Sequence, residues 1–534
     1  MKKRLLAIFL VLLSTLLLVS CEKALKDYTP KGNNLESYYD TGNNGVYYEI
    51  FVGGFSDSNK DGLGDLRGLI NRLDYLNDGD PNSGKSLGID GIWLMPVMKS
   101  PSYHKYDVTN YMVVDVNYGT NDDMIELCDE CAKRGIDVII DLVLNHTSTL
   151  NAWWKAAVEA INKGDLTDKY VDYYTFVKAN EKESGKVYYN KGIENSGYYY
   201  EGNFDSSMPE LNLDNTSLRE EIKEICRYWL VDVGVHGFRL DAVKYYYLND
   251  DAKNLAFLKW LRETCESYKP DCYIVGEDWS AEQHVAKYYG AVDCFDFAMS
   301  GQDGYIYNCT LGIDSVNTYV KHLVSYKALI KANNSSALPT PFISNHDMDR
   351  SAGYLSVSNG NAKMAANLYI LSSGTPFMYY GEEIGMLGSR GTASDDINRR
   401  LAMLWGDNDT IQNVKGATYS SSLQVNGTVK SQMGKKDSLY NYYKELIMIR
   451  KLNPEIALGE YKAITTDEWL LGGFLATYNN KSVAVIHNTS PEDTLSINLS
   501  EYGLSSLTQF IGLSDAKYEN GVLTLGPKTT AIIR

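Results

Sequence analysis

The chain is short of positive charge. It carries 51 Lys and Arg against 68 Asp and Glu, a formal net charge of −17. So acidic a surface repels phosphate backbones and argues against a nucleic-acid partner. Long apolar runs are also scarce. The first, residues 5–18, is shorter than the roughly 20 residues a helix needs to cross a bilayer, which excludes a comfortable membrane span there. Cysteine is sparse, eight residues at positions 21, 128, 131, 226, 265, 272, 294 and 309. With Cys21 set aside seven remain, an odd number that cannot all pair within one chain. Cys128 and Cys131 have CxxC spacing, but they sit inside a helical pattern, NDDMIELCDECAKRG, with no second pair at zinc-ligand spacing. Two core-facing cysteines are the reading adopted. Repeats of solenoid period are absent.

What is present is a globular composition, 44% hydrophobic and 22% charged, and 534 residues suggest two or three domains. The 42 Tyr and 8 Trp offer flat apolar faces with a polar edge, a surface that suits sugar rings as well as ordinary packing. The N-terminus begins MKKR, continues into the apolar run and ends in LVSC at 18–21. That ending resembles the lipobox of bacterial lipoproteins. The expectation is a signal peptide over 1–20, lipidation of Cys21, and a polar tether over 21–44. Such a protein is anchored by lipid to the membrane, on the extracellular face of the cell envelope.

From residue 45 strand-like and helical segments alternate. The runs YYEIFVGGF, IDGIWLMPV, IDVIIDLVLNH, GVHGFRLDAV, CYIVGEDW, CFDFAM, TPFISNHD and GTPFMYYGEE read as strands, and helical patterns lie between most of them. Eight of each predict an α/β fold, a (β/α)8 TIM barrel over 45–455. One connection, from His146 to Leu218, is about seventy residues long. It is too long for a structureless loop and predicts an inserted domain after the third strand, over 147–214. From 456 to 534 short alternating runs broken by Asn, Gly and Pro predict a C-terminal antiparallel β-sandwich domain.

Charged residues gather where the strands end, and that is where such barrels build active sites. In GFRLDAVKY, Arg239 and Asp241 are two apart and share one strand face. Glu277 ends the fifth strand run and Asp347 the seventh. Three carboxylates, two imidazoles and a guanidinium meeting at one barrel mouth are the equipment of glycoside hydrolysis. The motifs DLVLNH (141–146), MPELN (208–212), GFRLDAVKY (237–245), GEDW (276–279) and ISNHD (343–347) stand in the order found in the α-amylase family of glycoside hydrolases, family 13, which the chain resembles from Tyr47 onward.

The resemblance implies Asp241 as nucleophile, Glu277 as general acid and base, and Asp347 as the carboxylate that stabilises the distorted sugar. It implies a retaining enzyme, whose paired carboxyls stand roughly 5–5.5 Å apart. Arg239 would hold Asp241 ionised. His146, His346, Tyr106 and His104 match sugar-binding positions, Lys244 a position on the leaving-group side, and Asp395 with Arg399 a further sugar-binding pair. Tyr245 replaces the His common after that Lys and leaves a calcium site near Asn145 open to doubt. The segment Asp57-Ser-Asn-Lys-Asp-Gly-Leu-Gly-Asp65 places oxygen side chains at alternate positions, as hard cations require. It looks like the first-loop Ca²⁺ site of oligo-1,6-glucosidase-like members, with Asp57, Asn59, Asp61, Asp65 and the Leu63 carbonyl as ligands.

The expected activity is cleavage of internal α-1,4 bonds in starch and maltooligosaccharides by a monomer. The alternatives are an α-glucosidase or neopullulanase-like enzyme that also accepts α-1,6 bonds, and a non-catalytic starch-binding lipoprotein.

Overall fold

The computed structural model describes residues 45–393 and 396–534. The signal peptide, Cys21, the tether and Asp395 lie outside the described residues. Eight short strands form the central sheet: β1 (Tyr47–Ile50), β2 (Gly91–Leu94), β3 (Asp137–Leu142), β4 (Gly237–Leu240), β5 (Tyr273–Gly276), β6 (Asp293–Asp296), β7 (Thr340–Pro341) and β8 (Phe377–Tyr379). Their order is β7-β6-β5-β4-β3-β2-β1-β8, all parallel. A parallel bridge between Phe342, just beyond β7, and Phe377 on β8 closes the ring. This is the (β/α)8 barrel; seven strands lie within the runs read from the sequence, and β6 begins one residue before its run CFDFAM.

Strand alternation sorts the side chains into two layers. Tyr47, Trp93, Ile139, Tyr273, Val275, Phe295 and Phe377 point inward and pack together inside the barrel. Their neighbours Tyr48, Ile92, Val138, Phe238, Leu240 and Ile274 point outward into the larger core beneath the helices. Helices Asn121–Ala132, Asp251–Tyr268, Val316–Lys331 and Leu439–Leu452 belong to that outer ring. Cys128 and Cys131 are buried, unpaired thiols on the first of these. Among the described residues no helix is long and apolar enough to cross a membrane.

The long third connection folds around a group of aromatic rings continuous with the barrel's outer core. Helix Ala152–Lys163 packs Trp154 against Tyr174, Phe176 and Tyr200, with ring centroids 4.6–5.6 Å apart. Strands Phe176–Lys178, Tyr188–Tyr189 and Tyr198–Glu201 form a small antiparallel sheet beside it. An antiparallel bridge between His146 and Glu210 ties the inserted domain back to the end of β3.

After a short helix, Pro454–Leu458, the C-terminal domain begins at β9 (Glu460–Ile464). Then follow β10 (Leu471–Tyr478), β11 (Lys481–Asn488), β12 (Leu495–Asn498), β13 (Leu507–Gly512), β14 (Ala516–Glu519), β15 (Val522–Leu525) and β16 (Thr529–Ile533). They form two antiparallel sheets, ordered β9-β10-β11-β16-β13 and β12-β15-β14. Leu471, Ile486 and Ile533 of one meet Ile497, Leu523 and Leu525 of the other.

Candidate active site

Alternation along β4 decides the position of its charges. Phe238 and Leu240 face the outer core, so Arg239 and Asp241 face the barrel axis. Arg239 is almost fully buried, with its guanidinium carbon 5.0 Å from the Trp93 ring centre. A charge in such a place needs partners, and three carboxylates supply them. Its Nη1 lies 2.9 Å from Asp141 Oδ1 and 2.7 Å from Asp241 Oδ1. Its Nη2 lies 3.1 Å from Glu277 Oε2.

Ala242, the residue after Asp241, has a left-handed backbone at φ 50°. That conformation is costly for a residue with a Cβ and is held by surrounding contacts. The turn aims the Ala242 N–H at Glu277 Oε2, 3.1 Å away, and the Val243 N–H at the Glu277 carbonyl oxygen, 3.0 Å away. The ends of β4 and β5 are thereby laced together with Asp241 and Glu277 side by side. Burial pushes the Glu277 carboxyl up, Arg239 opposes it, and the charges of Asp241 and Asp347 push it further. Asp141, wholly buried, is driven up to about 7 by burial, against the pull of Arg239 and with a further push from Asp241.

Asp347 is treated oppositely. Burial would raise its carboxyl, but His346, Arg400 and Arg239 outweigh burial and hold it well below the usual range. The Arg400 Nη2 is 2.7 Å from Oδ1 and the His346 Nε2 3.1 Å from Oδ2. His346 in turn gives its Nδ1 to Glu49, which faces inward on β1. Burial alone would strip its proton; Asp347 and Glu49 together raise it to about 10, so His346 is an imidazolium.

The remaining expected residues line the same mouth. Tyr106 Oη lies 2.7 Å from His346 Nε2 and donates to Asp141 Oδ2 at 3.1 Å. Its ring is nearly parallel to that of His346, with centroids 5.8 Å apart. The Tyr106 N–H donates to His104 Nδ1 at 3.1 Å, so His104 shapes the loop that presents Tyr106. His146 is buried, burial lowers its proton affinity against the pull of Asp241 and Asp107, and its Nε2 has no hydrogen-bond partner in the protein. An orphaned ring nitrogen at a strand end is suited to a sugar hydroxyl. Lys244 Nζ donates to the Trp279 carbonyl oxygen at 2.6 Å and to Ser280 Oγ at 3.2 Å.

Arg399 turns to Asp349 and Asp396, at 2.7 Å each, and to the Asp347 backbone carbonyl at 2.6 Å. The arginine on the Asp347 carboxylate is the next residue, Arg400. Sequence reasoning missed it because two adjacent arginines in an irregular segment carry no periodicity that tells them apart. Glu49 was missed as well, although its place two residues after inward-facing Tyr47 was a usable signal. Asp141 was quoted in a motif but given no role.

The first βα loop folds as a series of tight turns. Asp57 Oδ1 accepts the N–H groups of Asn59 and Lys60, and Oδ2 that of Gly62 and the Thr410 hydroxyl. Burial works against the charge, but these bonds win and lower the Asp57 carboxyl below its ordinary value. Asn59 and Asp61 each accept the N–H two residues on and are exposed. Asp65 is turned to Ser58 and to the Gly68 N–H, capping helix Leu66–Ile70. Among the described residues no three His, Cys, Asp or Glu side chains gather closely enough to hold a metal ion. The donors are the hard oxygens a Ca²⁺ takes.

A barrel whose strand ends gather two differently tuned carboxylates, Glu277 raised and Asp347 lowered, beside Asp241 is a glycoside hydrolase in class. The family model for the α-amylase catalytic domain matches residues 49–459, and the chain belongs to the α-amylase family. It is 34% identical to Alpha-amylase 3 of Dictyoglomus thermophilum over 92% of this chain and 93% of that one. It is 29% identical to the oligo-1,6-glucosidase of Bacillus cereus, over 84% and 91%. Among solved structures it is similar to Eubacterium rectale Amy13B, with 38% identity, TM-score 0.85 and coverage of 93% and 96%. It is also similar to the α-amylase from H. orenii, with 32% identity, TM-score 0.79 and coverage of 92% and 99%. An α-glucan substrate is consistent with that family.

Proposed function

We propose that the enzyme hydrolyses internal α-1,4-glucosidic bonds of starch and maltooligosaccharides with retention of configuration. Asp241, bound by Arg239, attacks the anomeric carbon. Glu277 gives its proton to the departing glycosidic oxygen. Water, deprotonated by the same Glu277, then attacks the anomeric carbon and releases Asp241. Asp347, held as a carboxylate by His346 and Arg400, stabilises the positive charge that builds on the ring. The observation that carries this reading is the single guanidinium of Arg239 shared by Asp241 and Glu277, with Glu277 raised and Asp347 lowered. Similarity to proteins named α-amylase, at 34% and 32% identity, favours α-1,4 chains. The 29% identity to an oligo-1,6-glucosidase keeps α-1,6 cleavage as the second reading.

A time course of products from soluble starch and from pullulan separates the two. Mixed maltooligosaccharides from starch, lost in Asp241→Asn, are the expected result. Glucose alone, or strong cleavage of pullulan, overturns it. Two further proposals accompany this one. The oxygen-rich loop at Asp57, Asn59, Asp61, Leu63 and Asp65 would hold a structural Ca²⁺; the catalytic steps do not use it. The pattern at residues 1–44 supports a lipid anchor at Cys21 that holds the catalytic body outside the cell at the membrane surface.

A further inference from the structure

Strand alternation sends Glu277 and Asp278 to opposite sides of the barrel wall. Tyr273 and Val275 of β5 point inward and Ile274 outward, so Glu277 opens on the mouth and Asp278 is turned into the helix layer. Asp278 is fully buried there. A buried carboxylate needs donors. Ser280 Oγ donates to its Oδ1 at 2.5 Å, and His284 Nδ1 lies 2.7 Å from its Oδ2. His284 stands in the first turn of helix Glu282–Tyr288. Its other ring nitrogen, Nε2, lies 2.9 Å from Oδ1 of Asp251, the first residue of helix Asp251–Tyr268. One imidazole thus bridges two carboxylates, one beside Glu277 in sequence and one at the head of a neighbouring helix.

The bridge reaches Lys244 by two routes. Ser280 Oγ, which donates to Asp278, accepts from Lys244 Nζ at 3.2 Å. Tyr288 Oη donates to the same Asp251 oxygen at 3.1 Å, and Asn254 Nδ2 donates to Tyr288 Oη at 3.1 Å and to the Lys244 carbonyl oxygen at 3.0 Å. The segments that carry Asp241 and Glu277 are therefore tied twice. Arg239 and the Ala242 N–H join them at the mouth, and His284 with its partners joins them behind the wall.

We propose that His284 is a positioning residue for the proton donor: by holding Asp278 to Asp251 it fixes the turn after β5 and sets where the Glu277 carboxyl stands against the departing glycosidic oxygen. This rests on Glu277 acting as the acid. His284 touches no reacting atom and acts through Asp278. The Glu277 backbone is still held by the sheet, its N–H donating to the Leu240 carbonyl oxygen at 2.9 Å. Residues 278–281 then belong to no helix or strand, so side chains must hold their path. Without His284 the buried Asp278 loses a donor, and the turn relaxes toward any other. A proton donor works only within hydrogen-bond reach of the atom it protonates, and a displacement of about 1 Å can cost about a hundredfold.

The test compares kcat/KM on maltoheptaose, whose leaving group needs a proton, with kcat/KM on α-maltosyl fluoride, whose leaving group does not. Both report formation of the glycosyl-enzyme. His284→Ala is expected to lower the first value about tenfold to a hundredfold and the second by less than about threefold. An asparagine amide places an N–H near the Nδ1 position, a glutamine amide near the Nε2 position. His284→Asn is expected to recover most of the loss and His284→Gln little, since the bond to Asp278 is the one that reaches Glu277. Asp251→Asn, at the more open of the two carboxylates, is expected to show the same split at smaller amplitude. Glu277→Gln measured beside them reads the acid itself. If it separates the two substrates and His284→Ala does not, whether both rates hold or both fall together with the melting temperature, the positioning role is overturned and the acid reading stands. If Glu277→Gln loses both substrates equally, the acid reading falls and the role of His284 with it.

Discussion

Arg239 Nη1 lies 2.7 Å from Asp241 Oδ1, two residues further along the same strand end. The same buried guanidinium also meets Asp141 and Glu277. Removing it leaves Asp141, Asp241 and Glu277 without their cation, a defect that costs about 3–5 kcal/mol where it has been measured for buried pairs. Arg239→Gln is therefore expected to melt well below wild type and to lose kcat by about a thousandfold or more, in the range of a lost preorganised charge. Arg239→Lys restores a charge but not a fork, so it is expected to recover stability more than kcat. Thermal melts and initial rates on maltoheptaose check both. A fully active glutamine variant would refute the bracing role.

Glu277 must carry a proton when the glycosidic bond breaks. Its carboxyl is raised by burial and by Asp241 and Asp347, against Arg239. The protonated fraction falls as pH rises through that raised value. The kcat/KM profile on maltoheptaose is therefore expected to show an alkaline limb above the ordinary glutamate range. Glu277→Gln should lower kcat/KM on maltoheptaose by about 10²–10⁴, and far less on α-maltosyl fluoride, whose leaving group needs no proton. An equal loss on both substrates would remove Glu277 from the acid's role.

His322 offers a stability test remote from catalysis. It is buried between the rings of Tyr305 and Tyr326, with Nδ1 2.6 Å from Glu282 Oε1 and Nε2 3.3 Å from Asp296 Oδ2. Burial lowers its proton affinity, but the two carboxylates raise it to about 9. A raised value in the folded state means the stabilisation is complete below about 6.5, the unfolded value, and is lost as pH rises through about 9. The melting temperature should fall across that window in wild type. In His322→Gln it should start lower and vary less. Parallel curves for the two proteins would show that His322 does not carry the effect.

Calcium removal tests the first βα loop. If the loop binds Ca²⁺, the ion at a hundredfold excess over its Kd stabilises the fold by about 2.7 kcal/mol. Chelation should lower the melting temperature, and added Ca²⁺ should restore it. Asp57→Ala should abolish the response while leaving catalysis by the chelated enzyme near that of chelated wild type. A melting temperature indifferent to chelator would exclude a stabilising ion at this loop.

The barrel was legible because its signals are local. Alternation along GFRLD already put Arg239 and Asp241 on one face, and eight such runs separated by helical patterns left few other folds. The polar residues at the run ends mark the site in the sequence itself. Less visible were contacts that join distant segments. Arg399 and Arg400 look alike in sequence, and only the path of the chain after β8 buries the second against Asp347. Glu49 reads as one charge in a buried strand until barrel closure brings it to His346, 297 residues away.

The sequence by itself determined the fold class, through periodicity, and the carboxylates that can do the chemistry, through residue type at strand ends, while five ordered motifs carried the resemblance to the family. Tertiary structure alone decided which cation holds which acid and which carboxyls are raised or lowered. Those properties depend on burial and on distances of a few ångströms between residues far apart in the chain. Short-range patterns do not encode them, because they arise only when the barrel closes and the inserted domain settles on its end.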